Sequence, residues 1–162
     1  MSARRAELLE RAYDQVLTHG LADMSLRPLA TAIGSSPRVL LLLFGSKDGL
    51  VRALLGRARE DELAMLASIQ GDEDPAAAIW RWLSAPEHRP LLVLWAEAYV
   101  RSLVDPEGPW AGFARQTVED WLEVLPTGTL AVLRGALLDL LATGDVERTT
   151  AAVTSRLSGG GA

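Results

Sequence analysis

The chain contains no cysteine, which removes disulfide frameworks, thiol nucleophiles and Cys-based zinc sites from consideration. Histidine is nearly as scarce. His19 and His88 are the only two, and neither has a partner at metal-ligand spacing. No apolar run exceeds six residues, far short of the roughly 20 that span a bilayer, so no membrane partner is expected. The opening Met-Ser-Ala-Arg-Arg-Ala-Glu lacks the apolar core of a secretion signal, and a cytoplasmic location is the expectation. There is no Gly-rich phosphate loop after a strand pattern and no Ser-centred nucleophile elbow. The acidic triplets Glu60-Asp61-Glu62 and Asp72-Glu73-Asp74 read as solvated faces and not as an acid/base pair. Neither an enzymatic activity nor a cofactor is expected.

What is present is apolar residue in helical rhythm. With 162 residues and 49% hydrophobic side chains, the chain can bury a core, as one domain or as two small ones. Its net charge is −5, unevenly spread: residues 1–50 carry six basic against five acidic side chains, the remainder ten against sixteen. From Ala3 to His19, the positions Ala6, Leu9, Ala12, Tyr13, Val16 and Leu17 trace one buried helical face. Gly20 supplies its C-cap. Ser25 caps a short helix over Leu26–Ile33, and Gly34 ends it. Ser35 or Ser36 caps a third helix with Pro37 at its first position, closed by Gly45. Ser46 caps a fourth, which runs to about Ile69. Further helical segments are predicted at 76–84, 89–104, 110–125, 128–142 and from about Asp145, with residues 158–162 as a disordered tail. No sustained period-two alternation occurs, so the fold class is all-α.

The informative unit is the helix–turn–helix from Leu26 to Phe44. Ala30 allows two steeply crossing helices to approach, Gly34 supplies a left-handed turn, and Leu29, Ile33, Leu40 and Leu43 are spaced to meet in the angle. From spacing alone, two readings stand: a DNA-binding helix-turn-helix, or an ordinary αα corner.

Residues 8–55 resemble the N-terminal domain of TetR-type (tetracycline-repressor-like) transcriptional regulators. The resemblance rests on Ala12, Gly20, Ser25-Leu26-Arg27, Leu29-Ala30, Ala32-Ile33-Gly34, Ser36, Leu40, Phe44, Ser46-Lys47 and Leu50. It implies an N-terminal three-helix DNA-binding domain (1–50) and a helical domain (51–157) that binds a small apolar or aromatic effector and dimerises. It also implies a repressor acting as a homodimer on a palindromic double-stranded DNA operator. "LRGALLDLLATGD", Leu133 to Asp145, is also similar to sequences in the second half of some members. The family's recognition helix usually carries an aromatic and a His or Tyr just before the Phe matched by Phe44; here Leu41, Leu42 and Leu43 stand there. Leu41 and Leu42 point away from the expected core. They would touch thymine methyls or an apolar protein surface, or else mark a weakened DNA head.

The remaining DNA candidates are Arg27, Ser35, Ser36, Pro37, Arg38 and Lys47, as phosphate or base contacts at helix ends. Arg4 and Arg5 would brush the minor groove from a flexible arm. All five tryptophans fall in residues 76–125, and Trp80, Leu83, Trp95, Glu97, Tyr99, Trp110 and Phe113 are the candidate effector pocket. Within it, Glu97 and Arg101 are spaced for an i,i+4 ion pair, the alternative being a polar anchor for the effector. The wide apolar faces of 113–125 and 128–142 suggest either monomer core or, by the resemblance, a dimer interface. That interface would be built from Val118, Trp121, Leu122, Leu130, Leu133, Leu137, Leu140 and Leu141. A helical ligand-binding or protein-interaction module is the alternative to the regulator as a whole.

Overall fold

The computed structural model describes residues 2–21 and 24–158. Among them are nine α-helices, one short 3₁₀ turn and no strand, so the fold is all-α as the sequence pattern predicts. No helix of the described residues is long and apolar enough to cross a membrane. The expected tail, 158–162, lies beyond the described residues except for Ser158.

Helix α1 (Ala3–His19) starts where the Ser2 hydroxyl accepts the Arg5 N–H, at 3.2 Å. It buries Leu8, Leu9, Ala12, Tyr13 and Val16, and it stops at Gly20, whose φ of 82° is left-handed. α2 (Leu26–Ala32) ends one residue before the sequence boundary, with Ile33 as its C-cap. Ser25 holds the N-cap position, but its hydroxyl makes no capping bond there. After Gly34 (φ 67°), the Ser35 N–H closes the turn on the Ala30 carbonyl at 2.8 Å. α3 (Pro37–Phe44) is capped by the Ser36 hydroxyl, which accepts from the Val39 N–H at 3.3 Å. α4 (Lys47–Ser68) is capped by Ser46, which accepts from the Gly49 N–H at 2.9 Å. Gly49 is there for space: a Cβ on it would lie 2.0 Å from the Phe44 carbonyl oxygen.

Beyond the "GDEDP" loop, Asp74 caps α5 (Pro75–Ser84). Then follow α6 (Arg89–Val104), α7 (Phe113–Leu122), α8 (Thr127–Thr143) and α9 (Val146–Ser158). α7 is shorter than the expected 110–125. Gly112 sits at φ 77°, outside helical geometry, and residues 105–112 form successive turns before it.

Packing groups the chain into two compact units that alternate along the sequence. One comprises Met1–Asp61 and Val93–Ala114, the other Glu62–Leu92 and Arg115–Ala162. Residue 50, the expected limit of the DNA-binding domain, lies within α4 and within the first unit.

The core of the first unit includes Leu8, Val16, Ala30, Leu40, Leu50, Leu54, Leu94 and Ala98. A polar clamp joins α1 to α4: the Tyr13 hydroxyl donates to Asp61 at 2.8 Å, and Arg57 donates to Glu10 at 2.8 Å and to Asp61 at 2.5 Å. Burial, together with the hydrogen bond to Asp61, pushes the Tyr13 phenol far above its ordinary pKa. The second unit packs α5 against α8 and α9 around Ile79, Leu83, Leu133, Leu137 and Val153. Trp80 spends its indole N–H on the Thr150 hydroxyl at 2.9 Å.

Candidate functional site

α3 has two faces. Leu40 and Phe44 are buried, whereas Leu41 is 41% exposed and Leu42 is 82% exposed, beside an exposed Arg38. The amphipathic split follows from spacing, because residues 38, 41 and 42 share one side of a helix and 40 and 44 share another. Arg5 fixes the far end of α3. Its Nε donates to the Leu43 carbonyl at 3.2 Å, and its guanidinium sits 4.7 Å from the centre of the Phe44 ring. Arg11 fixes the end of α2 similarly, donating to the Ile33 carbonyl at 3.0 Å.

Those contacts correct the flexible-arm expectation. Arg4 and Arg5 belong to α1, Arg4 pairs with Glu7 at 2.9 Å, and Arg5 supports α3. In the turn that closes on Ala30, the Ser35 Oγ is buried without a hydrogen-bond partner. Ser36 stays exposed, its oxygen already capping α3, and Pro37 is half-buried at the first helical position.

The basic side chains of α1–α4 differ in their partners. Arg4, Arg11 and Arg57 pair with carboxylates. Arg27, Arg38, Lys47 and Arg52 are exposed and make no ion pair among the described residues. From Met24 to Arg52, these four cations face a single carboxylate, Asp48. Along the sequence, this segment is basic within a chain that is acidic on average.

The expected effector-pocket residues divide between the two units. Trp95, Glu97, Tyr99, Trp110 and Phe113 belong to the first, and Trp80 and Leu83 to the second. In the first unit, the Trp95 and Tyr99 rings lie 5.2 Å apart on α6. The expected Glu97–Arg101 ion pair does not form. Arg101 lies 5.9 Å from the Trp110 ring centre, and Glu97 Oε2 accepts the Leu21 N–H at 3.2 Å. Glu97 Oε1 is buried without a partner. An α6 carboxylate therefore holds the backbone just after α1. In the second unit, Leu83 lines a cavity of about 280 Å³ with Ala85, Arg89, Leu92, Leu140 and Val146. A further groove of about 310 Å³ lies between α1 and α2, walled by Val16, His19, Met24, Pro28 and Leu29. Its walls follow ordinary helical spacing, and nothing in the sequence distinguishes them from core.

The dimer candidates divide by burial. Trp121, Leu130, Leu133, Leu137 and Leu140 are buried within the single chain. Val118 and Leu141 are half-buried, and Leu122 is exposed. Leu138, not anticipated, is the exposed leucine of α8.

Glu62 is the residue that the sequence reading missed most plainly. It is 8% exposed, against the expected solvated face. Its Oε1 accepts from the Thr117 hydroxyl at 2.5 Å and from the Trp121 indole N–H. Arg134 completes the cluster, donating to Thr117 Oγ1 at 3.1 Å and lying 5.4 Å from the Trp121 ring centre. Burial raises the Glu62 pKa; the two hydrogen bonds and the Arg134 charge oppose it without cancelling it. The signal was available, since Ala58, Glu62, Met65, Leu66 and Ile69 follow one buried three-and-four stripe.

Among the described residues, no group of three or more His, Asp or Glu side chains could hold a metal ion. Compared with known protein families and with curated proteins, the chain matches no family model and no curated protein.

Proposed function

We propose that the chain is a DNA-binding transcriptional regulator of the TetR type, a homodimer that represses from a palindromic operator and responds to a small apolar or aromatic effector. The observation that supports the reading is a set of four exposed cations, Arg27 on α2, Arg38 on α3 and Lys47 and Arg52 on α4, that make no ion pair among the described residues, beside an α3 that presents an open face. Cations left without acids, in a chain with an excess of acids, are suited to phosphates. In this reading α3 enters the major groove, Arg38 contacts guanine or phosphate, and Lys47 meets phosphate at the start of α4. Two copies related by a twofold axis then engage two half-sites.

The effector acts on α6. A ligand against Trp95 and Tyr99 that prefers one position of α6 shifts the Glu97–Leu21 contact and, through it, the entry to α2. The protein resides with its DNA in the cytoplasm.

The test is binding of the full chain to duplexes from its own upstream region across a salt series. Affinity falls with salt, by roughly 0.9 log units per log unit of salt for each phosphate neutralised. Arg38→Ala weakens binding at least several-fold. Absence of binding at low salt rejects the regulator, and the exposed Leu41 and Leu42 then favour the alternative, a head that docks an apolar protein surface.

A further inference from the structure

The exposed face of α3 is short of hydrogen-bonding groups. Ser36 is spent on capping, the Ser35 hydroxyl is buried, and Arg38 alone of the exposed side chains from 38 to 42 can donate to a base. What the face offers instead is Leu42, 82% exposed, and Leu41, 41% exposed. In the major groove only one base-edge group suits an aliphatic side chain, the C5-methyl of thymine. We propose, on the footing of the DNA-binding reading above, that Leu41 and Leu42 are the specificity-determining residues of α3 and read thymine methyls.

The surroundings favour DNA over an apolar protein. These two leucines are the only large apolar side chains exposed between Met24 and Arg52, and the same segment carries the four cations that make no ion pair among the described residues. An apolar partner would want a broad patch, whereas a narrow apolar tip within a cationic frame matches methyls set between phosphates. Helical rise places Arg38 and Leu42 about 6 Å apart along the axis. The thymines read by leucine therefore lie within about two base steps of the Arg38 contact, on DNA that advances about 3.4 Å per step. Specificity of this kind is modest for each contact and depends on a methyl group alone.

The experiment selects randomised duplexes with the full-length protein at low salt. The enriched duplex is then resynthesised with deoxyuridine in place of each thymidine in turn, which deletes the methyl and leaves pairing intact. The expected result is a thymine-containing half-site in which each contacted methyl, once removed, costs about fourfold in affinity. The double variant Leu41→Ala/Leu42→Ala, whose parent side chains are both exposed, binds the thymine and uracil duplexes equally. An enriched duplex indifferent to uracil, or a double variant that still discriminates, overturns the methyl assignment while leaving DNA binding intact. A library with no enrichment overturns both.

Discussion

Replacing Glu62 by alanine removes the acceptor that two donors share in the interior of the second unit. The Thr117 hydroxyl and the Trp121 indole N–H both end on Glu62 Oε1. A buried donor stripped of its acceptor costs about 1–3 kcal/mol, and Arg134 also loses its neighbouring countercharge. The sum, roughly 3–5 kcal/mol, is comparable to breaking a buried ion pair and is a large share of the ~5–15 kcal/mol that holds a domain together. Urea unfolding followed by tryptophan fluorescence measures it. Glu62→Gln separates the charge from the hydrogen bonds, because the amide oxygen still accepts both. The wild type has a carboxyl whose folded pKa lies above its unfolded value, so the folded state holds the proton more tightly. Stability therefore falls as pH rises from the ordinary carboxylate range through the raised folded pKa, and stays reduced above it. Glu62→Gln flattens that fall. The reasoning is refuted if alanine and glutamine cost the same at neutral pH, or if the glutamine variant keeps the full pH slope.

Two further outcomes follow from contacts described above. Glu97→Ala leaves the Leu21 N–H without its acceptor and accelerates hydrogen exchange at that amide by about fivefold, the equivalent of one net hydrogen bond, while Glu97→Gln restores protection. Gly49→Ala drives a Cβ into the Phe44 carbonyl and costs about 1–3 kcal/mol, read as a fall of about 3–10 °C in Tm by calorimetry.

Helix positions were legible because punctuation in this chain is chemical and local. Gly20, Gly34 and Gly45 each stop a helix with positive φ, and Ser2, Ser36, Ser46 and Asp74 each accept a backbone N–H at the helix starts. The two faces of α3 were legible for the same reason, since a helical wheel needs no partner to say that Leu40 and Leu42 diverge. Glu97 was not legible. An i,i+4 acid and base suggest a pair, and only tertiary structure reveals that the Leu21 N–H and the Trp110 ring compete for them. Ser35 and Ser36 are indistinguishable as letters, yet the turn buries one hydroxyl and leaves the neighbouring residue exposed. The apolar stripe of α8 could not announce whether it serves core or interface, because both need the same leucines.

The first unit takes Val93–Ala114 into a body otherwise made of residues 1–61. During synthesis α2 and α3 leave the ribosome early, but their unit is complete only once Ala114 has followed, several seconds later at about 5–20 residues per second. Through that interval Leu21 has no Glu97 to bond, and the first unit lacks the buried Leu94 and Ala98. A gene fragment that stops after α4 would make that unfinished state permanent.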